Sequence, residues 1–150
     1  MTLSAETPAD RVDQLVLLTE RLTSLVAAQA QAFESRRPQD AAPLIEETSR
    51  LANLYRRESA QIRARPQLIA GAPMADRMRL TRATEAFDAV LARQARALEA
   101  AKTVTEGLVR AIAEEVAAQR HKSAPDGYGP SGQRAAKTTD GSAITLNKRA

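Results

Sequence analysis

Residues 74–127 read MADRMRLTRATEAFDAVLARQARALEAAKTVTEGLVRAIAEEVAAQRHKSAPDG. From Met74 onward no strong stop appears until the Ser-Ala-Pro-Asp-Gly run at 123–127, where proline removes a backbone donor and glycine breaks the pattern. Leu80, Thr84, Phe87, Leu91, Leu98, Ala101, Leu108, Ile112 and Val116 recur at steps that gather them into one stripe of a long helix. Gly107 lies inside it, at a cost of about 1 kcal/mol relative to alanine. It marks either a close approach or a soft spot.

Two shorter helices precede this one. Thr7 is placed to cap the first, with Pro8 at its first position and Asp10 in its first turn. Its seam runs Leu15, Leu18, Leu22, Leu25, Gln29, Ala32, alternating steps of three and four as in a supercoiling helix. SRRPQDAAP (35–43) ends it, with Pro38 as the break. The second helix is predicted over about 41–63, with Leu44, Thr48, Leu51, Tyr55 and Ile62 on one face and Leu54 beside it. RPQLIAGAP (65–73) then reads as a loop whose Leu68 and Ile69 tuck back onto the bundle end.

At the usual helical rise the three segments would extend roughly 40, 35 and 70 Å. Short connections favour antiparallel neighbours. The expected fold is therefore all-α: an antiparallel bundle of three long helices with coiled-coil-like packing, the third longest. A helical domain at 1–122 is followed by a disordered basic tail at 123–150, rich in Gly, Pro, Ser, Thr and Lys.

The length mismatch predicts that the third helix outruns its companions over roughly 103–122. Val104, Thr105, Leu108, Val109, Ile112 and Val116 form an apolar stripe there, while Glu106, Arg110 and Glu114 lie on the other side at i,i+4 spacing. Such a stripe is a dimer seam or a seat for another protein's helix, unless the chain's own segments cover it.

Composition narrows the chemistry. The 150 residues contain no cysteine and one histidine, His121, so thiol chemistry and Cys- or His-rich metal sites are excluded, and no cofactor is implied. The opening MTLSAETPADRVDQ lacks a basic start and apolar run, and charges interrupt every long apolar stretch. No secretory signal and no membrane span are expected, and a cytoplasmic protein is the default. Lys and Arg balance Asp and Glu over residues 1–119, sixteen of each. The formal net charge of +4 comes from residues 120–150, with six basic and two acidic side chains.

DGYGPSGQ (126–133) spells G-x-G-x-x-G. A dinucleotide turn needs a strand before it and a helix after it. Here a helix precedes, no helical pattern follows, and no acid stands about 20 residues on. A nucleotide site is rejected. Glu46–Glu47 and Glu114–Glu115 are helix neighbours that point apart, and His121 lacks a nucleophile, an orienting partner and a pocket, so no enzyme is expected. The tail cations Arg120, Lys122, Arg134, Lys137, Lys148 and Arg149 are scattered with one aromatic among them. They predict weak, salt-sensitive contact with nucleic acid at most. Tyr128, flanked by glycines, is either an ordinary tail tyrosine or an anchor for a pocket on a partner.

The tail carries a resemblance. Tyr128-Gly129-Pro130-Ser131-Gly132-Gln133 has the form Y-G-x-x-G-Q, after a long helix and before a polar, basic stretch ending in AITLNK. This is similar to the C-terminus of the FlgN-type flagellar export chaperones, small helical cytoplasmic proteins of about this length. Residue identity rests on those tail positions, and the helices match in pattern. The resemblance implies a chaperone that binds the helical C-termini of the flagellar hook–filament junction (hook-associated) proteins. It would prevent premature assembly and deliver them to the type III export gate. Carried over by motif, Tyr128 and Gly129 would contact the cytoplasmic domain of the export-gate membrane protein. Gly127, where the family often has an apolar residue, and Pro130 depart from the pattern. Client binding is expected on Thr105, Leu108, Val109, Ile112 and Val116. The alternative is a dimeric coiled-coil structural or regulatory adaptor, with weak nonspecific nucleic-acid contact through its tail.

Overall fold

The computed structural model describes residues 3–123. Helix α1 spans Pro8–Glu34, α2 spans Ile45–Ala64, α3 is the single turn Gln67–Ala70, and α4 spans Met74–Ser123. Two 3-10 turns, Pro38–Asp40 and Ala42–Leu44, join α1 to α2. The fold is all-α, with three long helices of which the last, at 50 residues, is the longest. The chain divides into two compact units, Met1–Leu108 and Val109–Ala150, with the division falling inside α4.

Local chemistry sets the ends of α1. Thr7 has extended backbone, and its Oγ1 accepts from the amide of Asp10 at 3.1 Å. Pro8 occupies the first turn, where its missing N–H costs nothing. At the other end the helix stops at Glu34, before Pro38 is reached. The amide of Arg37 donates to the carbonyl of Ala32 at 2.8 Å and that of Arg36 to Phe33 at 3.1 Å, the paired bonds of a Schellman ending. Arg36 holds the left-handed conformation this ending requires, with φ 57°.

The second helix begins later than periodicity suggested. Pro38 and Pro43 each lack a donor, so residues 38–44 fold as tight turns and the α-ladder starts at Ile45. The expected loop at 65–73 contains the one-turn α3. Its Ile69 packs against a cluster of Val12, Val16, Ala72 and Ala83.

In the first unit, α2 runs opposite to α1 and α4 runs with α1. Arg11 pairs with Glu58 and Gln29 with Thr48, whereas Asp13 meets Arg79 and Gln29 meets Gln94. Leu18, Leu22 and Val26 of α1, Leu54 of α2 and Phe87 of α4 form the main core. Each such side chain contributes about 1.5–3 kcal/mol by leaving water. Tyr55 meets Phe87 edge-on, with ring centroids 5.3 Å apart.

The α1 seam reads as expected: Leu15, Leu18, Leu22, Leu25, Gln29 and Ala32 are all buried. The seams of α2 and α4 are corrected. On α2 the deepest residues are Leu54 and Glu58, with Leu51, Tyr55 and Ile62 only half-buried. On α4 the inward face is Leu80, Ala83, Phe87, Val90, Gln94, Ala97 and Ala101, while Leu91 and Leu98 are exposed. Leu91 and Leu98 each sit one residue, about 100° of helix, past the inward position. Val90, Gln94 and Ala97 turn inward there, Gln94 bonding to Gln29 of α1, and the leucines flank the seam.

A polar layer ties the three helices. Gln94 Nε2 donates to Gln29 Oε1 at 2.7 Å, Gln29 Nε2 donates to Thr48 Oγ1 at 2.7 Å, and Thr48 donates to the carbonyl of Leu44 at 2.7 Å. Each donor has one acceptor, so sliding any helix by a turn would strand a buried amide, at about 1–3 kcal/mol.

Exposed ion pairs clamp the outside. Arg93 grips Glu34 with two bonds, 2.8 and 2.6 Å, and Arg21 grips Glu47 with two, 2.8 and 2.9 Å. The hydrogen bonds from Arg93 and Arg21, more than simple charge attraction, hold the carboxyls of Glu34 and Glu47 below the ordinary value of 4.5. Groups with depressed folded pKa stabilise the fold above their unfolded value and lose that stabilisation as pH falls through the folded value. The melting temperature is therefore expected to be flat through neutral pH and to decline below 4.5. Because the pairs are exposed, high salt should shrink that decline; a decline of the same size at low and high salt would contradict it.

Candidate functional site

The predicted client residues all lie on α4. Leu108 is 60% exposed, Val109 61%, Ile112 56% and Val116 44%. Thr105 is exposed too, and its hydroxyl donates back to the carbonyl of Ala101 at 3.0 Å. Every described residue from Lys102 to Ser123 is exposed. Among the described residues, no side chain of the stripe is buried. Gly107 is no close approach: a methyl group built there would meet nothing within 4 Å.

The stepping that buries Phe87, Val90, Gln94, Ala97 and Ala101 continues in sequence through Thr105, Leu108, Ile112 and Val116. The periodicity that builds a seam is therefore kept where the described side chains are exposed. Large aliphatic side chains on an exposed helix face cost solubility and mark interaction surfaces.

A second feature went unread in the sequence. Within the first unit, a groove of about 610 Å³ lies between the end of α1 and α4. Phe33 and Pro38 form one wall, and Leu98, Ala101, Val104 and Thr105 the other. Arg36 and Lys102 also line it. The Arg93–Glu34 clamp, reinforced by Arg93 donating to Gln31 Oε1 at 3.0 Å, holds the end of α1 against α4 beside it. Only contact between distant residues, such as Arg93 and Glu34 at a separation of 59, creates this groove, so periodicity along one helix held no sign of it. The exposed Leu98, assigned to the seam from its spacing, was the nearest hint.

Tyr128 and Gly129, the expected export-gate contacts, lie outside the described residues. No helix among the described residues is long and apolar enough to cross a membrane.

Neither a family model nor a solved structure matches the chain. A full-length relative does: the chain is 59% identical over 150 residues, covering all of both proteins, to the "Flagellar basal-body protein FlbY" of Caulobacter vibrioides. At that identity over the whole of both sequences, the chain belongs to the family of the flagellar basal-body protein FlbY.

Proposed function

We propose that this protein is a cytoplasmic, non-enzymatic export chaperone of the FlgN type. It binds the helical C-termini of hook–filament junction proteins along Thr105, Leu108, Val109, Ile112 and Val116. It then presents them to the cytoplasmic domain of the export-gate protein through Tyr128 and Gly129. The observation that carries this reading is the uninterrupted exposure of α4 from Lys102 to Ser123, with aliphatic residues still at seam spacing. A client helix laid on that face would be held by the same packing that drives helical filament subunits together. The flagellar name of the relative and the Y-G-x-x-G-Q motif at 128–133 support the flagellar setting. No metal or cofactor enters the proposal.

The relative's basal-body name favours a second reading: a coiled-coil adaptor, as a homodimer or on a basal-body component, that uses the same face. Two measurements separate the readings. Removal of residues 124–150 is expected to leave capture of junction proteins intact and to abolish attachment to the export-gate domain, with Tyr128→Ala reproducing most of the second loss. Full gate attachment by Tyr128→Ala would remove the docking role. Purified hook–basal bodies should lack the protein if it is a chaperone; stoichiometric retention there would favour the adaptor.

A further inference from the structure

We propose that the groove between the end of α1 and α4 seats one end of an amphipathic helix whose polar flank is acidic. The proposal deepens the chaperone reading, on which it rests, by naming the charge of the partner and the place where its end lodges.

The groove is lined by apolar side chains together with two cations. Phe33, Pro38, Leu98 and Ala101 supply the apolar lining. Glu34, the acid in the lining, is engaged by two bonds from Arg93. Arg36 makes no side-chain hydrogen bond or ion pair among the described residues. Lys102 reaches Glu106 only at 3.9 Å, with both side chains mostly exposed. Two cations thus accompany an apolar lining with little to balance them.

Arg36 carries a second clue. The Schellman ending needs a left-handed residue, a position usually held by glycine. An L side chain there costs roughly 1–2 kcal/mol. This chain keeps an arginine at that position, with φ 57°, and its side chain lines the groove.

Charge also discriminates among occupants. The chain's own residues 124–150 carry Arg134, Lys137, Lys148 and Arg149 against Asp126 and Asp140, four basic and two acidic. That segment is repelled by Arg36 and Lys102. A second copy would bring the same two cations to the groove. A partner helix with an apolar face and glutamate or aspartate beside it is attracted. Thr105 lines the groove and also belongs to the proposed client stripe, so the two readings share a residue.

The test uses the full chain and two labelled helical peptides with the same leucine face, one flanked by glutamates and one by lysines. The glutamate peptide is expected to bind about ten-fold more tightly at low salt, as two partly exposed charge pairs allow, with the gap closing at high salt. Arg36→Gly should raise the melting temperature by relieving the backbone and weaken the glutamate peptide about three- to five-fold. Ala101→Glu should block both peptides. Equal binding of the two peptides, binding of neither, or an Arg36→Gly protein that is more stable with undiminished affinity would each overturn the proposal. If junction-protein capture needs Leu108 and Ile112 but ignores Arg36→Gly and Ala101→Glu, the groove assignment fails and the chaperone reading stands. If peptide preference follows Arg36 while no junction protein is captured, the groove stands and the chaperone reading fails.

Discussion

Aspartate at both Leu108 and Ile112 is expected to reduce capture of a junction-protein client at least about 100-fold, with helicity by circular dichroism nearly unchanged. The two side chains are 60% and 56% exposed and belong to neither core cluster. Their replacement therefore removes no packing within the bundle. The cost to the fold is limited to helix propensity, about 0.5 kcal/mol per site. In the complex, both positions would lie under the client helix. An unpaired carboxylate buried there costs several kcal/mol, and 2.7 kcal/mol already corresponds to about 100-fold in affinity. Co-purification and calorimetry read the loss, and thermal unfolding provides the control. Capture at full strength by a folded double variant would mean that the client sits elsewhere.

The largest expected effect on stability comes from a buried ion pair within the first unit. Glu58 is 1% exposed and pairs with Arg11 at 3.0 Å through Oε2, while its Oε1 accepts from the amide of Leu3 at 3.3 Å. Glu58→Ala leaves the Arg11 guanidinium, itself only 15% exposed, without its counter-charge. Removing one partner of such a pair typically costs about 3–5 kcal/mol. For a domain of this size that is a fall of roughly 10–15 °C in melting temperature. The double replacement Arg11→Met with Glu58→Leu removes both charges together and should recover most of the loss, because an apolar pair of similar volume escapes the desolvation penalty. A double variant as unstable as Glu58→Ala would show that the carboxylate acts through shape or the Leu3 amide rather than through the pair.

Glu58 also shows where sequence reasoning stopped short. The α2 face was read as Leu44, Thr48, Leu51, Tyr55 and Ile62. The step from Tyr55 to Ile62 skips a position, and alternating threes and fours place Glu58 there. The spacing marked the residue as inward, but its charge argued against it. What overrides the charge is Arg11, 47 positions away. The α4 seam failed in a related way. Spacing assigned Leu91 and Leu98 to the stripe, yet both are exposed, and the residues turned inward between Phe87 and Ala101 are Val90, Gln94 and Ala97.

The spacing of the stripe was legible because it is a property of one continuous segment. Thr105, Leu108, Val109, Ile112 and Val116 recur at helical steps and are exposed. The groove beside it was not legible, since Phe33 and Leu98 meet only after α1 and α4 have packed.

The sequence alone determined the all-α class, the capped start of α1, its buried seam and the third helix as the longest. Those features depend on hydrogen bonds and side-chain spacing within about one or two turns, so each segment carries its own instructions. Tertiary structure decided which of two adjacent residues turns inward, where the Gln29–Thr48–Gln94 layer locks the helices, and how Arg36 comes to border an apolar groove. These outcomes depend on the volume and bonding capacity of segments distant in the chain, which become neighbours only when the bundle closes.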